Sequence, residues 1–234
     1  MSQLSLNELH CVKLTKFSIL RKALEFYFQA STGRKHSSPT IQAFNREILN
    51  NRRNYYALDQ LDTLRSHLLR NKSKIKHTDF GAGSQFKTKE KTIASFVSSS
   101  ASDQKKGALL FHLARHFKPK NILELGTNLG LGTAYLASAN RLSKVISLEG
   151  CPQLSQAARH ILGSAKIRNA EIVTGKFSNN LLRVCREIKE IDMVFIDGDH
   201  NYQATIENYQ TIKPFLSDRA VVIFDDIYLS LIHI

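Results

Sequence analysis

The stretch Asn121-Ile-Leu-Glu124-Leu-Gly126-Thr127-Asn-Leu-Gly130-Leu-Gly132-Thr133 decides the fold. Residues 121–125 are a short apolar run carrying one carboxylate, the pattern of a buried strand. The glycines that follow mark a tight turn, and the apolar residues after Gly130 open a helix over about 130–139. A strand, a glycine turn and a helix in that order make up the first part of a βαβ unit.

The chain alternates regularly on both sides of this stretch. A helix is expected over Asp103–Phe117 and is ended by Pro119. Strands are expected at Lys144–Leu148, Ala170–Thr174, Asp192–Ile196 and Ala220–Phe224, separated by helices over about 152–163, 179–188 and 202–212. Strands spaced by helices of this length predict right-handed crossovers and an α/β, doubly wound, mostly parallel Rossmann-like sheet. Upstream, residues 1–70 read as a helical N-terminal extension. Residues 71–102 carry Lys72, Lys74, Lys76, Lys87, Lys89 and Lys91 and read as a basic loop or lid. The sheet domain is expected to occupy residues 103–228.

Composition bounds the function. The 234 residues are 42% hydrophobic and carry a formal net charge of +13. That charge favours an anionic partner such as RNA or another polyanion, although a solvated basic surface has the same composition. Cys11, Cys151 and Cys185 are isolated from one another, which excludes a disulfide framework and a Cys-x-x-Cys zinc site. No stretch reaches the roughly 18 uncharged apolar residues of a membrane span, and no signal-peptide apolar region is present. A cytoplasmic location follows as the expectation.

In an open parallel sheet, ligands bind beyond the carboxyl ends of the strands at the switch point. Gly126 allows a tight turn there, and Gly130 lets a ligand approach the next helix closely. The second strand of the expected sheet leads to Glu149, where a carboxylate can accept both ribose hydroxyls of an adenosine cofactor. The glycine spacing is not the G-x-G-x-x-G of a loop that seats a pyrophosphate on backbone N–H groups. Glu124, just before the first glycine, would repel a phosphate. It suits S-adenosylmethionine, which carries an ammonium and a sulfonium but no phosphate.

Further carboxylates follow the fourth and fifth expected strands: Asp197 and Asp199, then Asp225 and Asp226, with His200 beside the first pair. Asp197, Asp225 and Asp226 at one cleft would suit a hard cation such as Mg²⁺, which could lower the pKa of a substrate hydroxyl. The alternative use of these aspartates is helix capping. Asp197 and His200 are the candidate catalytic residues, His200 as general base because its ordinary pKa lies near neutrality.

Glu124-Leu-Gly-Thr-x-x-Gly130, Val145-Ile-Ser-Leu-Glu149, Asp192-Met-Val-Phe-Ile-Asp197-Gly-Asp-His200 and Val221-Val-Ile-Phe-Asp225-Asp226 together resemble class I S-adenosylmethionine-dependent methyltransferases. The nearest branches are the catechol-type O-methyltransferases and an uncharacterised bacterial subgroup. The resemblance implies cofactor contacts at Glu124, Gly126, Thr127, Gly130 and Glu149, an adenine-side contact near Phe177, and metal ligands at Asp197, Asp225 and Asp226. Three positions depart from the family pattern. Lys176 stands where an acidic or polar residue is usual, Gly132 where catechol-type enzymes often have Ser, and His200 near the place of their catalytic lysine.

The expected activity is therefore methyl transfer from S-adenosylmethionine, most simply to an oxygen of a small molecule. An RNA or tRNA methyltransferase and a non-catalytic module binding cofactor or polyanion are the competing readings. Class I sheets end in two further strands, yet only eight residues follow Asp226. The expectation is a truncated sheet lacking its terminal strands 6 and 7, with residues 229–234 a non-native tail.

Overall fold

The computed structural model describes residues 38–51, 53–78, 88–99, 103–198 and 202–225. The chain divides into two compact units, Met1–Arg46 and Glu47–Ile234. The described part of the first holds helix α1 (Pro39–Phe44), with Pro39 in its opening turn, where a missing N–H leaves no hydrogen bond unmade. Of the helical extension expected over residues 1–70, residues 1–37 lie outside the described residues.

The second unit begins with helix α2 (Tyr56–Leu69). An antiparallel hairpin follows, formed by β1 (Lys74–Thr78) and β2 (Thr88–Thr92), then helix α3 (Ile93–Ser99). The basic stretch expected as a loop is thus largely ordered, and the reason is visible in its alternation. Ile75 pairs with Lys91 and His77 with Lys89 across the hairpin. His77 is buried with its ring against Phe96, while Lys74 and Lys76 alternate outward into solvent. Period-2 burial of this kind makes a strand, but two lysines in five residues hide it.

Helix α4 (Gln104–Phe117) leads into the regular alternation: β3 (Asn121–Leu125), α5 (Leu131–Ala139), β4 (Lys144–Glu149), α6 (Pro152–Ser164), β5 (Ala170–Thr174), α7 (Phe177–Ile188), β6 (Ile191–Ile196), α8 (Tyr202–Ile212) and β7 (Leu216–Phe224). The sheet has five strands in the order β5-β4-β3-β6-β7, and every pairing in it is parallel. From β3 the chain winds outward through β4 and β5, returns, and winds the other way through β6 and β7. The gap between β3 and β6 is therefore the switch point, where a doubly wound sheet opens a crevice.

The expectation of missing sixth and seventh strands is corrected. Counted along the chain, strands six and seven are present as β6 and β7, and both are paired in the sheet. β7 is also longer than its apolar run suggested, because Leu216 pairs with Ile191 before an irregularity in register ahead of Met193 and Val221. The proposed tail at 229–234 lies outside the described residues.

Strand residues alternate between two buried faces. Leu123, Leu125, Ile146, Leu148, Val194 and Ile196 pack with Leu181, Val184 and Cys185 of α7 and Ile212 of α8. The alternate residues, such as Ile122, Glu124, Val145 and Met193, are equally buried on the other face. This two-sided burial explains the near-continuous apolar strands. A separate cluster joins Leu68, Phe96 and Val97 to Leu129, Leu131, Cys151, Leu154 and Ile161. It brings α2 and α3 onto the residues flanking Gly130.

Candidate functional site

The glycine turn after β3 holds three residues in the left-handed region, Gly126 (φ 100°), Asn128 (φ 51°) and Gly130 (φ 79°). Glycine is the residue that adopts it without strain. Gly126 has a second reason. A Cβ there would lie 2.3 Å from the backbone oxygen of Asp197, on the loop after β6. Gly198 packs the same way, its missing Cβ 3.0 Å from the Phe177 ring and 3.2 Å from the Gly126 Cα. The glycine turn, the β6 loop and Phe177 therefore meet at one point, although they are far apart in sequence.

Glu124 lies beneath this turn and is 1% exposed. One carboxylate oxygen accepts a short hydrogen bond from the Thr133 hydroxyl on α5. The other has no hydrogen-bond partner among the described residues. Burial pushes the Glu124 carboxyl up to about 7, against the opposing effect of the neighbouring Ser147 and Thr133 hydroxyls. A buried carboxylate with a bare oxygen is costly unless something completes it. A cationic ligand such as the ammonium of S-adenosylmethionine would do so, and would favour the ionised form.

The remaining cofactor candidates lie around the same turn. Thr127 is buried, and its hydroxyl is 2.5 Å from that of Ser147 on β4. Glu149 ends β4 and accepts from the backbone N–H of Asn128 at 2.8 Å and of Cys151 at 2.9 Å. These bonds aim the carboxylate while leaving lone pairs for ribose hydroxyls. Its pKa is nonetheless raised, because burial outweighs the backbone donors. The residues present thus fit S-adenosylmethionine.

On the β6–β7 side, the aspartates are brought together by a residue that pattern reading missed. The Lys106 Nζ donates to Asp197 Oδ2 at 3.1 Å and makes a shorter contact with Asp225 Oδ2. Burial lowers the Lys106 pKa, but the Asp225 hydrogen bond and the Asp197 charge more than restore it, so the ammonium is retained. Burial, then hydrogen bonding with the Asp225 carboxyl, pushes Asp197 up to about 8. The group thus combines one ammonium with two carboxyl groups that compete for charge. Asp199, His200 and Asp226 lie outside the described residues.

A Mg²⁺ ion does not fit the Asp197–Asp225 pair while Lys106 occupies it, and Asp226, the third expected ligand, lies outside the described residues. The described residues contain no group of three or more His, Cys, Asp or Glu side chains able to hold a metal. The one carboxylate pair already holds an ammonium. Coulomb's law gives roughly 10 kcal/mol of repulsion between a dication and a monocation about 3 Å apart at an effective permittivity near 20.

Lys106 could have been found in the sequence. It is the third residue of α4, whose first turn contains Lys105 and Lys106 and no acidic residue. Cations there oppose the helix dipole, so one of them needed a carboxylate from elsewhere. The helix start is fixed by Asp103, whose side chain accepts from the Lys106 backbone N–H at 2.6 Å. Its approach is fixed by Gly107, where a Cβ would lie 2.3 Å from the Tyr135 ring on α5. His112 is buried against Tyr55 and Phe111, and His116 pairs with Glu47 at 3.1 Å.

Comparison with known proteins agrees with this geometry. Residues 123–227 match the model of a family described as a methyltransferase domain. Solved structures share the fold. An S-adenosylhomocysteine-bound methyltransferase from Podospora anserina superposes with a TM-score of 0.54 at 18% identity, covering 97% of this chain and 74% of that one. An O-methyltransferase from Bacillus cereus, also bound to S-adenosylhomocysteine, gives 0.55 at 20% identity, covering 80% and 71%. The O-methyltransferase TomG from Streptomyces achromogenes, in complex with S-adenosylmethionine, gives 0.55 at 19% identity, covering 86% and 76%. No curated protein sequence matches the chain. Residues 123–227 are thus similar in sequence to a methyltransferase domain, and the chain shares its fold with structures described as methyltransferases. Among the described residues, no helix is long and apolar enough to cross a membrane.

Proposed function

We propose that this chain transfers a methyl group from S-adenosylmethionine to an oxygen of a small molecule. The observation that carries the reading is Glu124: a fully buried carboxylate with one bare oxygen, beneath a glycine turn that only small residues can form. Glu149 supports it from the end of β4, and the Lys106, Asp197 and Asp225 cluster supports it from the ends of β6 and β7. The similar solved structures described as O-methyltransferases favour an oxygen acceptor.

When bound, S-adenosylmethionine supplies an electrophilic methyl on a sulfonium. The chain's own contribution is alignment, since holding two reactants in line removes most of the entropic barrier of a displacement. Glu124, Gly126, Thr127, Gly130 and Glu149 would hold the cofactor, with Phe177 on its adenine side. Asp197 and His200 are the residues placed in sequence to take the proton from the acceptor hydroxyl as the new oxygen–carbon bond forms.

Calorimetric titration of S-adenosylmethionine and S-adenosylhomocysteine into the folded chain tests the cofactor reading. Saturable binding of both is expected, and a folded sample that binds neither overturns it. A transfer assay with labelled methyl groups then tests the acceptor, using pools of hydroxylated small molecules beside a pool of RNA. Label in the small molecules is expected. Label confined to RNA, with affinity that falls steeply with salt, would replace the acceptor class.

A further inference from the structure

We propose that the Lys106 ammonium is the resident cation of the acceptor side of this cleft, standing where catechol-type enzymes place a metal, and that transfer here proceeds without a divalent ion. The inference deepens the methyltransferase reading and rests on it for the word acceptor. The ion cluster itself stands on geometry alone.

Three observations carry it. First, one Nζ atom reaches both Asp197 and Asp225, joining segments that lie 91 and 119 residues from Lys106 in sequence. Second, the position of Lys106 is built rather than incidental. Asp103 caps the helix end from which it springs, and Gly107 lets that helix approach Tyr135 more closely than any side chain would allow. A surface lysine on a freely placed helix has neither constraint. Third, Asp197 follows β6 at the switch point with Asp225 beside it at the end of β7, and the Asp197 backbone oxygen fills the space left by Gly126 of the cofactor turn. The ammonium therefore lies at the junction between cofactor and acceptor, and its two partners are only 16% and 21% exposed as side chains.

The chemical consequence concerns the acceptor. A divalent ion binds two neighbouring oxygens of a substrate at once. An ammonium cannot chelate in that way; it offers separate N–H donors on a compact charge. The acceptor is then a molecule held by single hydrogen bonds to Lys106 and its carboxylates, and a vicinal diol gains nothing over a lone hydroxyl. Lys106 is a positioning residue in this account, because it sets the charge and orientation of Asp197.

Titration with Mn²⁺, read by electron paramagnetic resonance and calorimetry, tests the proposal without knowledge of the acceptor. The wild-type chain is expected to show no saturable Mn²⁺ site. Lys106→Ala removes the ammonium from between the two carboxylates and is expected to gain one, with a melting temperature that falls relative to wild type and is restored by Mn²⁺. Lys106→Arg retains a cation and is expected to behave as wild type. Saturable Mn²⁺ binding by wild type that is lost in Asp225→Asn overturns the proposal. So does a folded Lys106→Ala variant that melts like wild type and gains no site. Should Lys106→Ala fail to fold, the wild-type and Lys106→Arg titrations still decide. S-adenosylmethionine titrated into the same samples separates the two ideas. Cofactor binding together with a wild-type Mn²⁺ site sinks the lysine proposal alone. Absence of both sinks the methyltransferase reading alone.

Discussion

The two sides of the cleft are assembled in opposite ways. On the β3–β4 side, Glu124, Gly126, Thr127, Gly130 and Glu149 lie within one strand–helix–strand unit of 29 residues. Their contacts are made largely within that unit: Thr133 to Glu124, Ser147 to Thr127 and Glu149 to Asn128. On the β6–β7 side, a comparable cluster is drawn from α4 and from two separate strand ends, with up to 119 residues between partners. The local side is a motif. The distant side is a product of topology, and its members become neighbours only once five strands are in order.

The comparison can be broken most severely where the two sides touch. Gly126→Ala puts a methyl group against the Asp197 backbone in a conformation that suits glycine. A loss of several kcal/mol in stability is expected, together with loss of cofactor binding, read by denaturant unfolding and calorimetry. Gly107→Ala acts at the packing of α4 on α5, away from the cofactor turn. The added methyl collides with Tyr135, at about 1–3 kcal/mol for overpacking, partly offset by about 1 kcal/mol of better helix propensity. A net destabilisation with retained S-adenosylmethionine affinity is the expected outcome. Equal damage to cofactor binding would show that the two sides are not separable.

Glu124→Gln affects the local side and should act through pH. The Glu124 carboxyl titrates near 7 in the folded chain against an ordinary value of 4.5. The folded state therefore holds this proton more tightly than the unfolded state does. Its contribution to stability is favourable at low pH, declines between about 4.5 and 7, and stays constant above that. Glu124→Gln removes the decline, so the variant without cofactor should gain stability relative to wild type at pH 8. It should also lose at least about tenfold in cofactor affinity, and affinity should no longer rise with pH through 7. Thermal melts and calorimetry across pH 5–8 measure both effects. The smallest effect is expected for Asp103→Ala, about 1 kcal/mol from the lost helix cap, with a measurable gain in solvent exchange at the first turn of α4.

The same division accounts for what could be read in advance. The β3 turn announces itself because its glycines are required by backbone geometry and its acid stands at the strand end beside them, all within a few residues along the chain. The five sheet strands were legible because two-sided burial demands apolar runs. The β1–β2 hairpin was not, since Ile75 and His77 turn inward while the lysines around them resemble a solvated loop. Lys106 was not, because its partners are named by strand order rather than by spacing. The anti-dipole lysines in the first turn of α4 were the available signal. Asp197 and Asp225 were placed together correctly by strand order, but the cation between them came from a helix that strand-end reasoning does not consult.

The packing of Gly126 against the Asp197 carbonyl has a thermodynamic consequence. The turn that would embrace a cofactor and the loop that bears Asp197 meet at Gly126 with no room for a side chain between them, so a shift of one is felt by the other. Occupancy of one side then changes the free energy of filling the other, and linkage requires the change to be mutual. Whatever factor a bound cofactor adds to acceptor affinity, a bound acceptor returns to the cofactor.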